Sequence, residues 1–266
     1  MEAPLPVYCE LTGYTDPGPH GAAFAGLPTT LPELCRIIKA QLIHPCFLEK
    51  YRDQLPPERG DEDEQFDTVA QMLEVLLARN PHGLVAERTP AERLIVSCRH
   101  HAILLASILR TRGTPVRVRA GFAEYVAFRP GPHITHWICE VWNADGRRWM
   151  LVDPDIQKVD FDRAEFEFGG ETWLRGRRGE IDPNLYGVME WWGTCMLKHL
   201  LCHDLACVLG DEVNYGTESP LSRMPMEELQ PHHFELLDRA AELLSEEPNR
   251  TNLQRLREAS PELQLP

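Results

Sequence analysis

The chain has 266 residues, 43% of them hydrophobic, enough to bury a proper core in one large domain or two small ones. A formal net charge of -14 with 27 scattered Lys and Arg argues against nucleic acid, and the longest apolar runs, such as AILLASIL, fall far short of the roughly 20 residues of a membrane span. The opening MEAPLPVYCELTGY has neither the basic start nor the apolar stretch of a secretion signal, so the cytoplasm is the expected location and thiols the expected state of the eight cysteines.

In chain order, LPELCRIIKAQLIHPCFLEKY (31–51) sets Leu34, Ile37, Ile38 and Leu42 at helical spacing, and FDTVAQMLEVLLARN does the same with Phe66, Val69, Met72, Leu73 and Leu76. Between them RDQLPPERGDEDEQ reads as a solvated acidic loop. Thr89-Pro90-Ala91-Glu92 is a capping box, and a break is expected between it and a new helix beginning at Cys98, with Ser97 able to act as N-cap. That helix buries Ala102, Leu105 and Leu109 and ends at Gly113, before Thr114-Pro115.

VRVRAGFAEYVAF then alternates as one or two strands, and THWICEVW and RRWMLVD follow as two more around NADG. Beyond residue 163 the pattern is mainly helical, with WWGTCMLKHLLCHDLACVLG the most apolar stretch and HHFELLDRAAELLSEE an amphipathic helix. GETWLRGRRGE reads as a solvated loop with a small basic patch, and Trp191 and Trp192 as core or groove residues. Helices first, strands next and helices last make an α+β fold in a single domain over 1–266, with a helical part at 1–90, a core at 91–160 and a second helical part at 161–266.

Two chemical features stand out. Cys98 in the first turn of its helix would feel the helix N-terminus, which favours a thiolate. If the hairpin reverses between Ala144 and Asp145, His136 and Asp153 stand directly opposite each other, at the roughly 4.5–5.5 Å separation from which a carboxylate can orient an imidazole. Taken alone, such a pair could equally be structural. Cys195, His199 and His203 recur every fourth residue and could face one way on a helix, but they lack an acidic member and an evident fourth ligand, so packing is the better reading and no metal is expected. His232 and His233 read as surface residues.

A Cys ahead of an apolar helix, then G-x-P-x-R-x-x-x-G-F from Gly113 to Phe122, H-W-x-x-E-V from His136 to Val141 and W-x-x-V-D-P from Trp149 to Pro154, resembles the transglutaminase-like superfamily of cysteine enzymes. TDPG at 15–18 and the ETW, DPNLYG and HDLA stretches look like a bacterial stand-alone branch of it, so the resemblance reaches to about residue 210. It departs from that branch at Ser97, where Asn or Asp is usual, and at His101, where an aromatic residue is usual.

The resemblance implies a papain-like core in which the Cys98 helix packs on an antiparallel sheet, with helices added at both ends. It implies Cys98 as nucleophile, His136 as general base and then acid, Asp153 as the orienting group, and the Cys98 backbone N–H as one oxyanion donor beside an unidentified second. Ser97, Arg99, His100 and Trp137, neighbours of these residues in sequence, are the candidate substrate contacts. No cofactor is implied. The expected chemistry passes an acyl group from an amide or thioester through acyl-Cys98. The acceptor is open between an amine, which gives amide-bond formation in a biosynthetic setting, and water, which gives a peptidase or amidase. A non-catalytic binding module that keeps the fold is the rival from another class. The acidic composition leans toward an amine-bearing partner.

Overall fold

The computed structural model describes residues 5–84, 87–244 and 247–266. Helix α1 (Leu31–Gln41) buries Leu34, Ile37 and Ile38. The helix expected over 31–51 does not run through, because Pro45 disfavours helical backbone at His44 and offers no N–H of its own. Leu42–Ile43 instead form strand β1, and helical structure resumes in a turn at Pro45–Phe47 and in α2 (Leu48–Tyr51). Helix α3 (Val69–Arg79) starts on a capping box between Thr68 and Gln71 and buries Val69, Met72, Leu73 and Leu76.

The stretch read as a solvated loop is anchored instead. Glu62 is buried, accepting from Arg59, Arg79 and the Ile95 N–H. A carboxylate met by two guanidinium groups and an amide can leave water, which composition alone does not reveal. The Thr89–Glu92 box forms but closes only a single turn, Pro90–Glu92. Strand β2 (Leu94–Ile95) follows, so the expected break is present and α4 (Cys98–Thr111) starts at the cysteine. Every residue of α4 from Cys98 to Arg110 is buried. The helix ends where Gly113 turns left-handed (φ 74°) and the Thr114 N–H reaches back to the Leu109 carbonyl.

Strands β3 (Val116–Ala123), β4 (His133–Asn143), β5 (Arg148–Asp153) and β6 (Lys158–Val159) come next. Strand β7 (Glu167–Phe168), α5 (Gly169–Arg177), β8 (Tyr186–Val188), β9 (Trp191–Trp192), α6 (Thr194–Leu209), α7 (Pro220–Arg223), α8 (Pro231–Leu243) and α9 (Arg250–Ala259) complete the α+β fold. Of the helix expected over HHFELLDRAAELLSEE, Ser245 and Glu246 lie outside the described residues. Among the described residues no helix is long and apolar enough to cross a membrane.

The chain packs as two compact units, Met1–Val118 with Ile138–Phe161, and Arg119–Trp137 with Asp162–Pro266; β3 and β4 each contribute one half to either unit. In the first unit α1 and α3 pack on α4, and β1 pairs in parallel with β2 (Leu42↔Leu94, Ile43↔Ile95). The Cys139 thiol donates to the Ala102 carbonyl (3.3 Å), which sets α4 against β4, and β5 and β6 continue the sheet antiparallel.

In the second unit β3 pairs with β7 and β4 with β8, while α6 is packed by α5, α8 and α9. Gly169 allows the α5 approach, since a Cβ there would lie 2.3 Å from the Leu200 carbonyl oxygen. Arg119 and Asp204 form a fully buried bidentate pair, both bonds 2.7 Å. GETWLRGRRGE is helix α5 with Trp173 buried rather than a loop, and its basic patch is neutralised: Arg175 meets Glu167, Arg177 meets Asp238 and Arg178 meets Glu180. Trp191, read as core or groove, is exposed at the β8–β9 hairpin.

Candidate active site

Cys98 is the first residue of α4 and only 3% exposed. Ser97 holds the N-cap position in extended backbone, but its hydroxyl makes no capping bond. The start of the helix is fixed from outside it: the Ser97 N–H donates to Asp63 (2.6 Å), and the Ser97 carbonyl meets the His101 Nδ1 at 2.9 Å. Burial works against the Asp63 carboxylate, yet His100 and Ser97 hold it below the ordinary carboxylate range. The sulfur thus sits at the positive end of a buried helix, where a thiolate is favoured.

A second imidazole, His44, stands against this sulfur. The parallel ladder carries β1 alongside β2, and the Val96 N–H donates to the Ile43 carbonyl (2.9 Å), so the residue after β1 arrives beside the segment that leads into Cys98. His44 is hydrogen-bonded to the thiols of both Cys98 and Cys46, the latter 2.6 Å from Nδ1. Its Nε2 lies 3.8 Å from Asp155, a buried carboxylate that also receives Lys39 and lies 3.5 Å from His101 Nε2. Burial opposes a charge on His44, but the two thiols and Asp155 outweigh it and raise the ring to about 10. His101, wholly enclosed, is driven the other way by burial, to about 4. Two imidazoles beside one carboxylate are therefore shifted in opposite directions.

Asp153 ends β5 fully buried, and its Oδ1 accepts from the Asp155 and Ile156 amides, both at 3.0 Å, which fixes the plane of the carboxylate. Burial and this negative charge push the Cys35 thiol up to about 12. The expected hairpin register is not the one observed. Cys139 pairs with Val152 and Glu140 with Leu151, so the ladder extended by one step sets Asp153 beside Ile138 rather than His136. The reason is the turn: Asn143 pairs with Arg148, its side chain accepts from the Gly146 N–H, and Arg147 takes φ 49°, giving a loop of four residues in place of a tighter reversal. His136, 3% exposed, lies in the second unit with its ring edge-on to Tyr125 at 6.0 Å.

Compared with known families, residues 60–154 match the transglutaminase-like superfamily. The match spans 95 of the 266 residues. No curated protein and no solved structure matches the chain.

The matched stretch contains Cys98, His136 and Asp153, together with Asp63, whereas Lys39, His44 and Cys46 precede it and Asp155 follows its last residue. Of the candidate substrate contacts, Arg99 and His100 are wholly buried and bonded to the 66–67 carbonyls, which makes them packing groups. Ser97 presents its backbone to Asp63 and His101, and Trp137 packs against His203 and Tyr215 in the second unit. The eight cysteines form no disulfide with one another.

Cys195, His199 and His203 do not converge as a ligand set; among the described residues only His232, His233 and Glu262 bring three ligand atoms together. His233 is buried rather than on the surface, and its Nδ1 accepts from the Gln230 N–H, which leaves a proton on Nε2 where a metal would need a lone pair. Sequence reasoning missed His44 and Asp155. The one available signal was His44-Pro45, a helix stop inside an apparently continuous apolar pattern.

Proposed function

We propose that this chain is a cysteine-dependent acyl-transfer enzyme that works through an acyl-Cys98 intermediate on an amide- or thioester-bearing substrate. The observation that carries the reading is Cys98 at the first position of a buried helix, inside the matched stretch and in contact with an imidazole. The superfamily is one of cysteine-dependent acyl transfer and hydrolysis.

In the proposed cycle the Cys98 thiolate attacks the carbonyl carbon, a C–S bond forms, and the carbonyl π pair moves onto oxygen, where the Cys98 N–H can meet it. Collapse restores the carbonyl and expels the amine or thiol, which takes its proton from the His136 imidazolium. Neutral His136 then deprotonates the acceptor, which attacks acyl-Cys98 and returns the thiolate. Asp153 orients His136 and stabilises its charged form. Of the two acceptors, the acidic composition favours an amine over water.

The test is to load the protein with thioester and activated-amide donors, follow its intact mass, and then add amines or buffer alone. Faster loss of the adduct with amines, with the acyl group recovered as an amide, supports the transferase reading. Loss at one rate to free acid whatever amine is added means hydrolysis, and absence of any adduct removes the enzyme reading in favour of a binding module.

A further inference from the structure

We propose that His44 is a second imidazole of the catalytic site: it carries a positive charge, hydrogen-bonds the Cys98 sulfur and holds that sulfur as the thiolate. The inference deepens the reading of Cys98 as nucleophile and rests on it. Two placements point the same way. The β1–β2 ladder delivers His44 to the entrance of α4, so its contact with Cys98 is built by backbone pairing and not by a mobile side chain alone. Asp155, buried beside the ring, supplies the counter-charge that lets an imidazolium persist under cover. Cys46 lies on the Nδ1 side of the ring, with its sulfur at 2.6 Å and its backbone N–H at 3.3 Å from that nitrogen.

The groups facing His44 come from every neighbouring element. Lys39 of α1 and His101 of α4 oppose its charge, although Lys39 is bound to Asp155 and His101 is neutral. Asp155, after β5, favours the charge, and Asp61, raised overall by burial, feels a small opposing pull from His44. Cys98 and Cys46 are the ring's sulfur partners. The net balance favours the protonated form, consistent with its rise to about 10. In the catalytic cycle His44 gives up no proton; the leaving group takes the one on His136. His44 acts by charge and by one hydrogen bond to the reacting atom.

The test follows alkylation of Cys98 by iodoacetamide in the full-length protein between about pH 5 and pH 10, read peptide by peptide so that the exposed Cys46 is scored separately. Wild-type Cys98 should keep reacting well below the ordinary thiol range. His44→Gln, which removes the charge and keeps polar ends, should move the midpoint up by about one pH unit and slow labelling near pH 6 about tenfold. A profile that coincides with wild type overturns the inference.

Should the variant not fold, the native protein carries the test. With its histidines isotopically labelled, the His44 ring should be protonated at neutral pH and lose that preference once Cys98 is alkylated; a neutral ring at pH 7 overturns the inference. The two readings separate cleanly. An acyl adduct on Cys98 with an unmoved alkylation profile keeps the enzyme and discards His44, whereas a shifted profile without any adduct keeps the His44–Cys98 pair and discards the acyl chemistry.

Discussion

Asp63 positions Cys98, the proposed nucleophile, from a distance, and Asp63→Ala measures how much. Its carboxylate accepts the Ser97 N–H at 2.6 Å and lies 3.3 Å from His100 Nδ1, so it fixes the residue before Cys98 and the second residue of the helix after it. A hydrogen bond to a charged group contributes about 1.5–3 kcal/mol, and a buried N–H left without a partner adds a cost of similar order. Asp63→Ala should therefore destabilise by about 3 kcal/mol, on the order of a 100-fold change in the unfolding constant, while Asp63→Asn, which keeps an acceptor for Ser97, should cost about half of that.

Urea unfolding gives the free energy, and hydrogen exchange of the 97–101 amides shows whether the loss is local to the start of α4. Because the folded protein holds Asp63 below its unfolded range, its contribution is complete above about pH 4 and is lost as pH falls through the depressed native value. Asp63→Ala within about 0.5 kcal/mol of wild type, with unchanged exchange at 97–101, would refute the assignment.

Asp204→Ala strands the buried Arg119 guanidinium and should cost about 3–5 kcal/mol in urea unfolding, with Arg119→Met/Asp204→Leu recovering much of it. Gly169→Ala drives a methyl into the Leu200 carbonyl and should cost about 1–3 kcal/mol by the same measurement, since neither helix backbone can give way freely. The two imidazoles beside Asp155 predict opposite limbs of a stability–pH curve. His44, raised to about 10, contributes fully below about pH 6.5 and loses its contribution as pH climbs toward 10; His101, lowered to about 4, contributes fully above about pH 6.5 and loses it as pH falls toward 4. In thermal melts His44→Gln should flatten the alkaline limb and His101→Gln the acid limb, and a variant that flattens neither limb would contradict the corresponding shift.

Much of this was legible in the sequence where one local rule decides. The capping boxes, Gly113 as the end of α4 and the start of that helix at Cys98 follow from side chains acting within a few residues. The hairpin register was missed because it hangs on a single turn, where Asn143 and the left-handed Arg147 open the loop to four residues. GETWLRGRRGE looked like a loop because its polar residues hide Trp173, and the acidic stretch looked solvated because the arginines that bury Glu62 come from positions 59 and 79. His44 was illegible for a deeper reason. Its meeting with Cys98 is made by a two-residue parallel ladder between segments some fifty positions apart, and nothing local in either segment announces the pairing.

The central claim is that Cys98 is the thiol that takes an acyl group. Proteolysis and mass mapping of protein trapped with an activated acyl donor test it most directly. The acyl mass should reside on the Cys98 peptide, disappear in Cys98→Ala and form far more slowly in His136→Ala. An adduct spread over Cys46, Cys9 and Cys195, or one that persists in Cys98→Ala, would contradict the account.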